Sequence, residues 1–330
     1  MTYRLYGAIA SPYSLKMRAY MRYRRLSFIW RDTHEARAEA TAKVKVPVIP
    51  ILEFPDGTFA NDSTVLIERL EAVYDDGRSA IPSNPLAAFL ARFIEDFADE
   101  WLTKAMFGYR WLAEVDQLQM SKWLAFDNLK GAGGLSTSDA AAEQFRQRQV
   151  SRMGIVGCSE ANWPIIEESV NKVLAALETH VTNGFFLFGS RPSIAEFGLY
   201  GQLSQFQADP TPNAVMRQIF PYTLRWLNHM DDLSGTEGDW SNAEQPATAT
   251  TAIARIAAEY YLPYLAANAE SLARGEAEFA VTLGGARFGQ PAFPYQRKCL
   301  EVLRQRYRML ADTDRARLEA LDSNFSILRG

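Results

Sequence analysis

Three short stretches near the N-terminus carry side chains able to handle an anion or an extended peptide-like ligand. Ser11-Pro12 sits where a short alternating run gives way to a helical pattern. A serine there caps free N–H groups, and proline suits the first helical position. The same hydroxyl could donate to a bound thiolate, an anion that the positive helix end also favours. Tyr13 and Ser14 are alternative donors, although Tyr13, fixed in the first helical turn by the cap, reads first as a pocket wall. Val46-Pro47 is an X-Pro bond inside a strand-like run. It is a candidate for a cis peptide that would turn the backbone of Val46 toward a ligand, or else an edge-strand proline. Asp62-Ser63 opens the next helical run and offers N–H groups suited to a small carboxylate, or an ordinary cap.

The elements that must position these residues read as follows. Residues 3–7 alternate as a first strand, 13–23 follow as a helix, and 27–33 form a second strand. Residues 34–42 are helix-compatible. Residues 46–54 read as a strand that turns at Pro55-Asp56-Gly57 into a partner at 58–60, and 64–74 are helical. This is a compact α/β unit with a mixed sheet over residues 1–80. Beyond Pro85 the strand signals stop. Phe89, Phe93, Phe97 and Trp101 recur at helical spacing and predict a long helix. Glycines at 131–134 break the pattern, and helices are expected to resume near Glu143 and over 164–180. Ser193 and Glu196 have capping-box spacing. Helix follows over 220–230, then a polar, turn-rich stretch over 235–251. Helices at 252–274 and 295–311 flank a Gly-rich connection. The expected fold class is α/β plus all-α, with a helical domain over 85–330 and an extension over 240–330.

Composition removes several classes. With 35 Lys and Arg against 39 Asp and Glu the chain carries a formal charge of -4. It has no general attraction for nucleic acid or an anionic membrane. Lys16, Arg18, Arg22, Arg24, Arg25 and Arg31 precede the first acidic residue, Asp32. That run reads as a local anion patch or as the solvated face of a helix. Two cysteines, Cys158 and Cys299, argue against a disulfide framework, so a reducing, cytoplasmic setting is expected. Three scattered histidines supply no metal-ligand spacing, and no metal is expected. No apolar run is long enough to cross a membrane.

Taken in order, the motifs resemble the glutathione transferase family. SPYSLKMR (residues 11–18) resembles its first active-site loop in the serine-type classes. VKVPVIP (44–50) resembles its cis-proline segment, and NDSTVLIERLE (61–71) its glutamyl-binding helix start, with Asp62 where Glu is commoner. FLFGSRPSIAEFGLYGQL (186–203) resembles its capping-box helix, with Glu196 where Asp is usual. The resemblance covers about residues 3–230. It implies a thioredoxin-like N-terminal domain that binds glutathione, a helical substrate domain and a homodimer. It places the catalytic serine at Ser11, the backbone pairing with the cysteinyl part at Val46 and Pro47, the γ-glutamyl clamp at Asp62 and Ser63, and the glycyl carboxylate near Lys45.

The implied activity is conjugation of glutathione, as co-substrate, to small apolar electrophiles through a serine-stabilised thiolate. Phe107, Tyr109 and Trp111 could wall the electrophile pocket, with Arg110 holding an anionic group. A glutathione-dependent isomerase or dehalogenase would use the same Ser11 machinery. A non-catalytic scaffold of the same fold is the third possibility. The absence of cysteine between residues 8 and 18 disfavours the family's cysteine-type branch.

Overall fold

The structure, a computed structural model, describes residues 2–242 and 246–330. Residues 243–245, part of the expected polar stretch, lie outside the described residues. The chain forms two compact units that interleave along the sequence. One gathers Met1–Ile81, Tyr109–Val150 and Glu196–Gly238; the other gathers Pro82–Gly108, Ser151–Ala195 and Asp239–Gly330.

The first unit begins with β1 (Tyr3–Tyr6), α1 (Pro12–Tyr23), β2 (Phe28–Arg31), α2 (His34–Thr41), β3 (Ile51–Glu53), β4 (Phe59–Asn61) and α3 (Ser63–Val73). The sheet order is β2-β1-β3-β4. β1 and β2 run parallel across the α1 crossover, and β3 and β4 are antiparallel to their neighbours. Strand alternation sends successive side chains to opposite faces. Tyr6 and Ile51 therefore pack with Ala36 and Ala40 of α2, while Leu5 and Leu52 are buried on the other face. The third strand is shorter than the sequence implied. Residues 46–50 are irregular, because only Ile51–Glu53 pair with β1.

In the basic run that begins in α1 only Arg25 and Arg31 are exposed; the other four are buried or half-buried and form no solvated face. Lys16 and Arg24 are buried. Arg24 pairs with Glu71 and, at 2.8 Å, with Asp76. Arg18 and Arg22 converge on Asp231 at 2.7 and 2.6 Å, and Arg25 pairs with Glu237. These cations tie α1 to segments far along the chain. Further helices of the unit include Glu114–Leu129 and Gly134–Val150; the second starts nine residues before Glu143 because Gly134 itself opens it.

In the second unit the phenylalanine stripe occupies Pro85–Phe97, and a π-helical turn, Ala98–Leu102, separates it from a helix that starts at Thr103. The long helix Thr248–Arg274 packs beside it and beside Trp163–His180. Trp101 is fully buried among the rings of Tyr260, Tyr264 and Phe288. Phe89 meets Tyr307 and Phe93 meets Phe325, so the C-terminal segment completes this unit's core. The connection after Arg274 is a β-hairpin, Glu278–Leu283 with Ala286–Pro291, which corrects the all-helical expectation there. Gly284 and Gly285 supply its turn with φ of +56° and +83°, the backbone that a tight hairpin requires.

Candidate active site

Strand register brings three stretches to one edge of the sheet. Tyr6, the last residue of β1, pairs with Ile51, the first of β3, and Ile51 pairs with Asn61, the last of β4. The loop after β1, the segment before β3 and the start of α3 therefore emerge side by side. Ligands bind at such strand ends in α/β sheets.

Ser11 caps α1. Its Oγ accepts from the Ser14 N–H at 3.3 Å, which leaves its own proton to donate outward. Its side chain is half-buried, as is that of Tyr13. Ser14 is fully buried, its Oγ without a hydrogen-bond partner and packed where a Cβ on Gly7 would touch it at 2.8 Å. Of the two serines, only Ser11 keeps some solvent exposure.

Asp62 caps α3 through Oδ1, which accepts from Thr64 N at 3.2 Å and Val65 N at 3.4 Å. Its φ is +77°, a conformation that costs a non-glycine residue free energy and is held by its surroundings. Ser63 is the first helical residue and is buried. The Lys16 ammonium donates to Thr64 Oγ1 at 3.2 Å and ties α1 to α3.

The proline segment differs from expectation. The cis bond is Ile49–Pro50 rather than Val46-Pro47. Val46 is exposed, and its carbonyl accepts from Asn61 Nδ2 at 2.7 Å; Pro47 and Lys45 are exposed on the same loop. Asn61 also bonds Val48 O at 3.2 Å, so it folds this loop against β4. The physical reason lies in pairing: the backbone becomes regular only after Pro50, where β3 meets β1.

The pocket expected around residues 107–111 is also revised. Arg110 is buried with every nitrogen engaged. Its Nε donates to both Asp209 carboxylate oxygens at 3.1 Å, Nη2 to Gln205 Oε1 at 2.8 Å and Nη1 to Ala10 O at 3.1 Å. These contacts commit the guanidinium to acceptors within the protein rather than to an anionic substrate. Tyr109 packs edge-on against Phe206 and Trp111 against Phe145, both buried in the first unit. Phe107 is half-buried and belongs to the second unit. Gln205 and Asp209 carried no sequence signal, since they lie 95 and 99 residues from Arg110.

Three hollows are also present. Two, of about 590 and 530 Å³, are in the second unit beside Asn162 and Gln290 and beside Tyr307 and Arg329. One of about 430 Å³ lies in the first unit beside Arg4, Arg31 and Glu53. Among the described residues no group of three or more His, Cys, Asp or Glu could hold a metal ion. No described helix is long and apolar enough to cross a membrane.

Two family models match: "Glutathione S-transferase, N-terminal domain" over residues 5–79 and "Glutathione S-transferase, C-terminal domain" over residues 139–229. The chain belongs to the glutathione transferase family. Its N-terminal domain is thus thioredoxin-like with a small sheet, followed by a helical C-terminal domain. No curated protein matches this transferase-family chain. Solved structures similar to it include a glutathione S-transferase of Methylobacterium radiotolerans in complex with glutathione sulfonate, 14% identical, covering 74% of this chain and 99% of that one with a TM-score of 0.41. The beta-etherase LigF of a Sphingobium species is 19% identical, covering 70% and 95% with a TM-score of 0.46. A glutathione S-transferase of Methylobacillus flagellatus with glutathione bound is 18% identical, covering 68% and 93% with a TM-score of 0.41.

Proposed function

We propose that this transferase-family chain binds glutathione at the sheet edge beneath Ser11 and conjugates it to small, largely apolar electrophiles. The observation that carries the reading is the convergence, through the Tyr6–Ile51–Asn61 register, of the Ser11 cap, the Ile49–Pro50 bond and the Asp62–Ser63 helix start.

A thiol is poorly nucleophilic at neutral pH because little of it is thiolate. The Ser11 O–H donates to the sulfur, and the N-terminal end of α1 adds positive potential; both favour the anion. Proximity of a bound electrophile then promotes attack. The backbone of Ile49, beside the cis bond, takes the role first expected of Val46 and Pro47. Val46 presents a carbonyl already bonded to Asn61. Asp62 meets the glutamyl amine, and the N-terminal N–H groups of α3 at Ser63 meet the glutamyl carboxylate. Lys45 is the exposed cation available to the glycyl carboxylate. The reading extends to a cytoplasmic homodimer, which light scattering at micromolar concentration checks.

Calorimetry with glutathione tests the reading directly: wild type is expected to bind. In Ser11→Ala the ultraviolet absorbance of bound thiolate should fall at neutral pH while affinity changes little. An unchanged thiolate titration removes Ser11 from the mechanism, and the same titration in Tyr13→Phe then decides whether Tyr13 donates. Failure of wild type to bind glutathione ends the proposal.

A further inference from the structure

The residues at 8–11 have no regular secondary structure, and Ile9 is 50% exposed, so apolar burial does not hold this loop. Polar contacts do. The Ala8 carbonyl accepts from Ser11 N at 3.1 Å, and the Ser11 carbonyl accepts from Ser14 N and Leu15 N at 3.1 Å. Between them, the Ile9 carbonyl accepts from Gln205 Nε2 at 3.3 Å and the Ala10 carbonyl from Arg110 Nη1 at 3.1 Å. Four successive carbonyls are thus engaged, the middle two by side chains 196 and 100 residues away along the chain.

Those side chains are themselves fixed. Arg110 bridges both oxygens of Asp209, which is fully buried, and also reaches Gln205 Oε1. Gln205 is additionally bonded to Ser204 Oγ at 3.3 Å. A guanidinium in its planar fork can hold a carboxylate, an amide and a backbone carbonyl at once, which an ammonium cannot match.

We infer that Arg110, Asp209 and Gln205 form a buried clamp that fixes the backbone of residues 9 and 10 and thereby sets where the Ser11 hydroxyl points. Arg110 and Gln205 are positioning residues; neither touches the sulfur. The inference rests on the reading of Ser11 as the thiolate donor for its catalytic consequence, whereas the clamp itself does not need a ligand.

Gln205→Met tests this with little change in volume, removing the amide's contacts to Ile9, Arg110 and Ser204. Arg110→Met/Asp209→Leu tests it independently and leaves no unpaired buried charge. Thermal unfolding confirms that each variant is folded. Amide exchange by mass spectrometry, without glutathione, is expected to rise about tenfold over residues 8–15, the loss of one such hydrogen bond, and to stay unchanged in β1 and β2. With glutathione, the thiolate titration is expected to move up by about one unit and kcat to fall about tenfold. Affinity is expected to hold within about threefold, because the Asp62 and Ile49 contacts persist.

Unchanged exchange in both variants overturns the clamp. Raised exchange with an unchanged thiolate titration and kcat overturns the positioning role. Wild type that binds no glutathione overturns the functional reading, and the exchange result then decides the clamp alone.

Discussion

Each of the two units buries a cation, and the two solve that problem differently. In the first, Arg110 meets a carboxylate, an amide and a backbone carbonyl, so its charge is matched and its geometry constrained. In the second, Lys104 donates to Val156 O at 3.0 Å and Gln290 Oε1 at 2.7 Å and lies 4.8 Å from the Tyr264 ring centre, near Trp101 and Phe288. Its hydrogen-bond partners are neutral. Burial therefore pulls Lys104 down to about 8, with Cys158 and Glu100 opposing, and burial together with Asp96 and Asp99 pushes Glu100 up to about 8. A fork paired with a carboxylate can serve as a fixed clamp. An ammonium boxed by dipoles and rings fills space and changes charge within reach of ordinary buffers.

The contrast predicts unequal costs. Arg110→Ala leaves the Asp209 carboxylate buried and unpaired, and urea unfolding should show a loss of about 3–5 kcal/mol. Lys104→Met removes the buried charge along with its bonds, and the loss should stay within about 1–2 kcal/mol. Equal losses would erase the distinction.

Sterics give the next largest effect. A Cβ on Gly201 would lie 2.8 Å from the Pro12 carbonyl oxygen and 3.0 Å from Lys16 Cβ. Gly201→Ala should cost about 1–3 kcal/mol by overpacking against the first turn of α1. In the second unit a Cβ on Gly108 would lie 2.1 Å from the Trp163 ring, with a cost of similar size. Only the first variant should also disturb the thiolate titration.

Asp209 in the first unit and Lys104 in the second predict pH dependences of opposite sign. Burial holds the Asp209 carboxyl up to about 6, against Arg110, from an ordinary 3.8. The folded chain keeps that proton where the unfolded chain has released it. Its contribution to stability is complete below 3.8 and lost as pH rises through 6. Lys104, lowered to about 8 from 10.5, contributes stability that is present above 10.5 and lost as pH falls through 8. Melting temperatures in Arg110→Met/Asp209→Leu should show a shallower acid-side slope, with Glu100 supplying what remains, and those in Lys104→Met should lose the alkaline one. A wild-type slope retained in either variant would assign the titration elsewhere.

The smallest effect on stability is expected at Asp62. Asn keeps the cap and tolerates unusual backbone, so Asp62→Asn should change stability by less than about 0.5 kcal/mol. Loss of the charge should nevertheless weaken glutathione binding about tenfold, read by calorimetry. Intact affinity would remove Asp62 from the glutamyl clamp.

Much of the first unit was legible because its signals are local. Ser11-Pro12 and Asp62-Ser63 mark helix starts through the needs of their own neighbouring N–H groups, and both caps formed where expected. The hairpin at Gly284-Gly285 was equally local. Its glycine pair stands between two apolar alternations, a hairpin signal inside the expected Gly-rich connection. Other choices had no local arbiter. Two X-Pro bonds stand in VKVPVIP with similar flanks, and the cis one is the second, directly before β3 begins at Ile51. The basic run of α1 reads as a surface until Asp231 and Glu237 arrive from over 200 residues away. Arg110 reads as a pocket residue until Asp209, Gln205 and the Ala10 carbonyl take its nitrogens. The sequence by itself determined where helices start and which face of each strand is apolar, since those follow from backbone groups a few residues apart. Only the tertiary structure decided which charges are buried and what they hold, because burying a charge is tolerable only once distant partners have satisfied it.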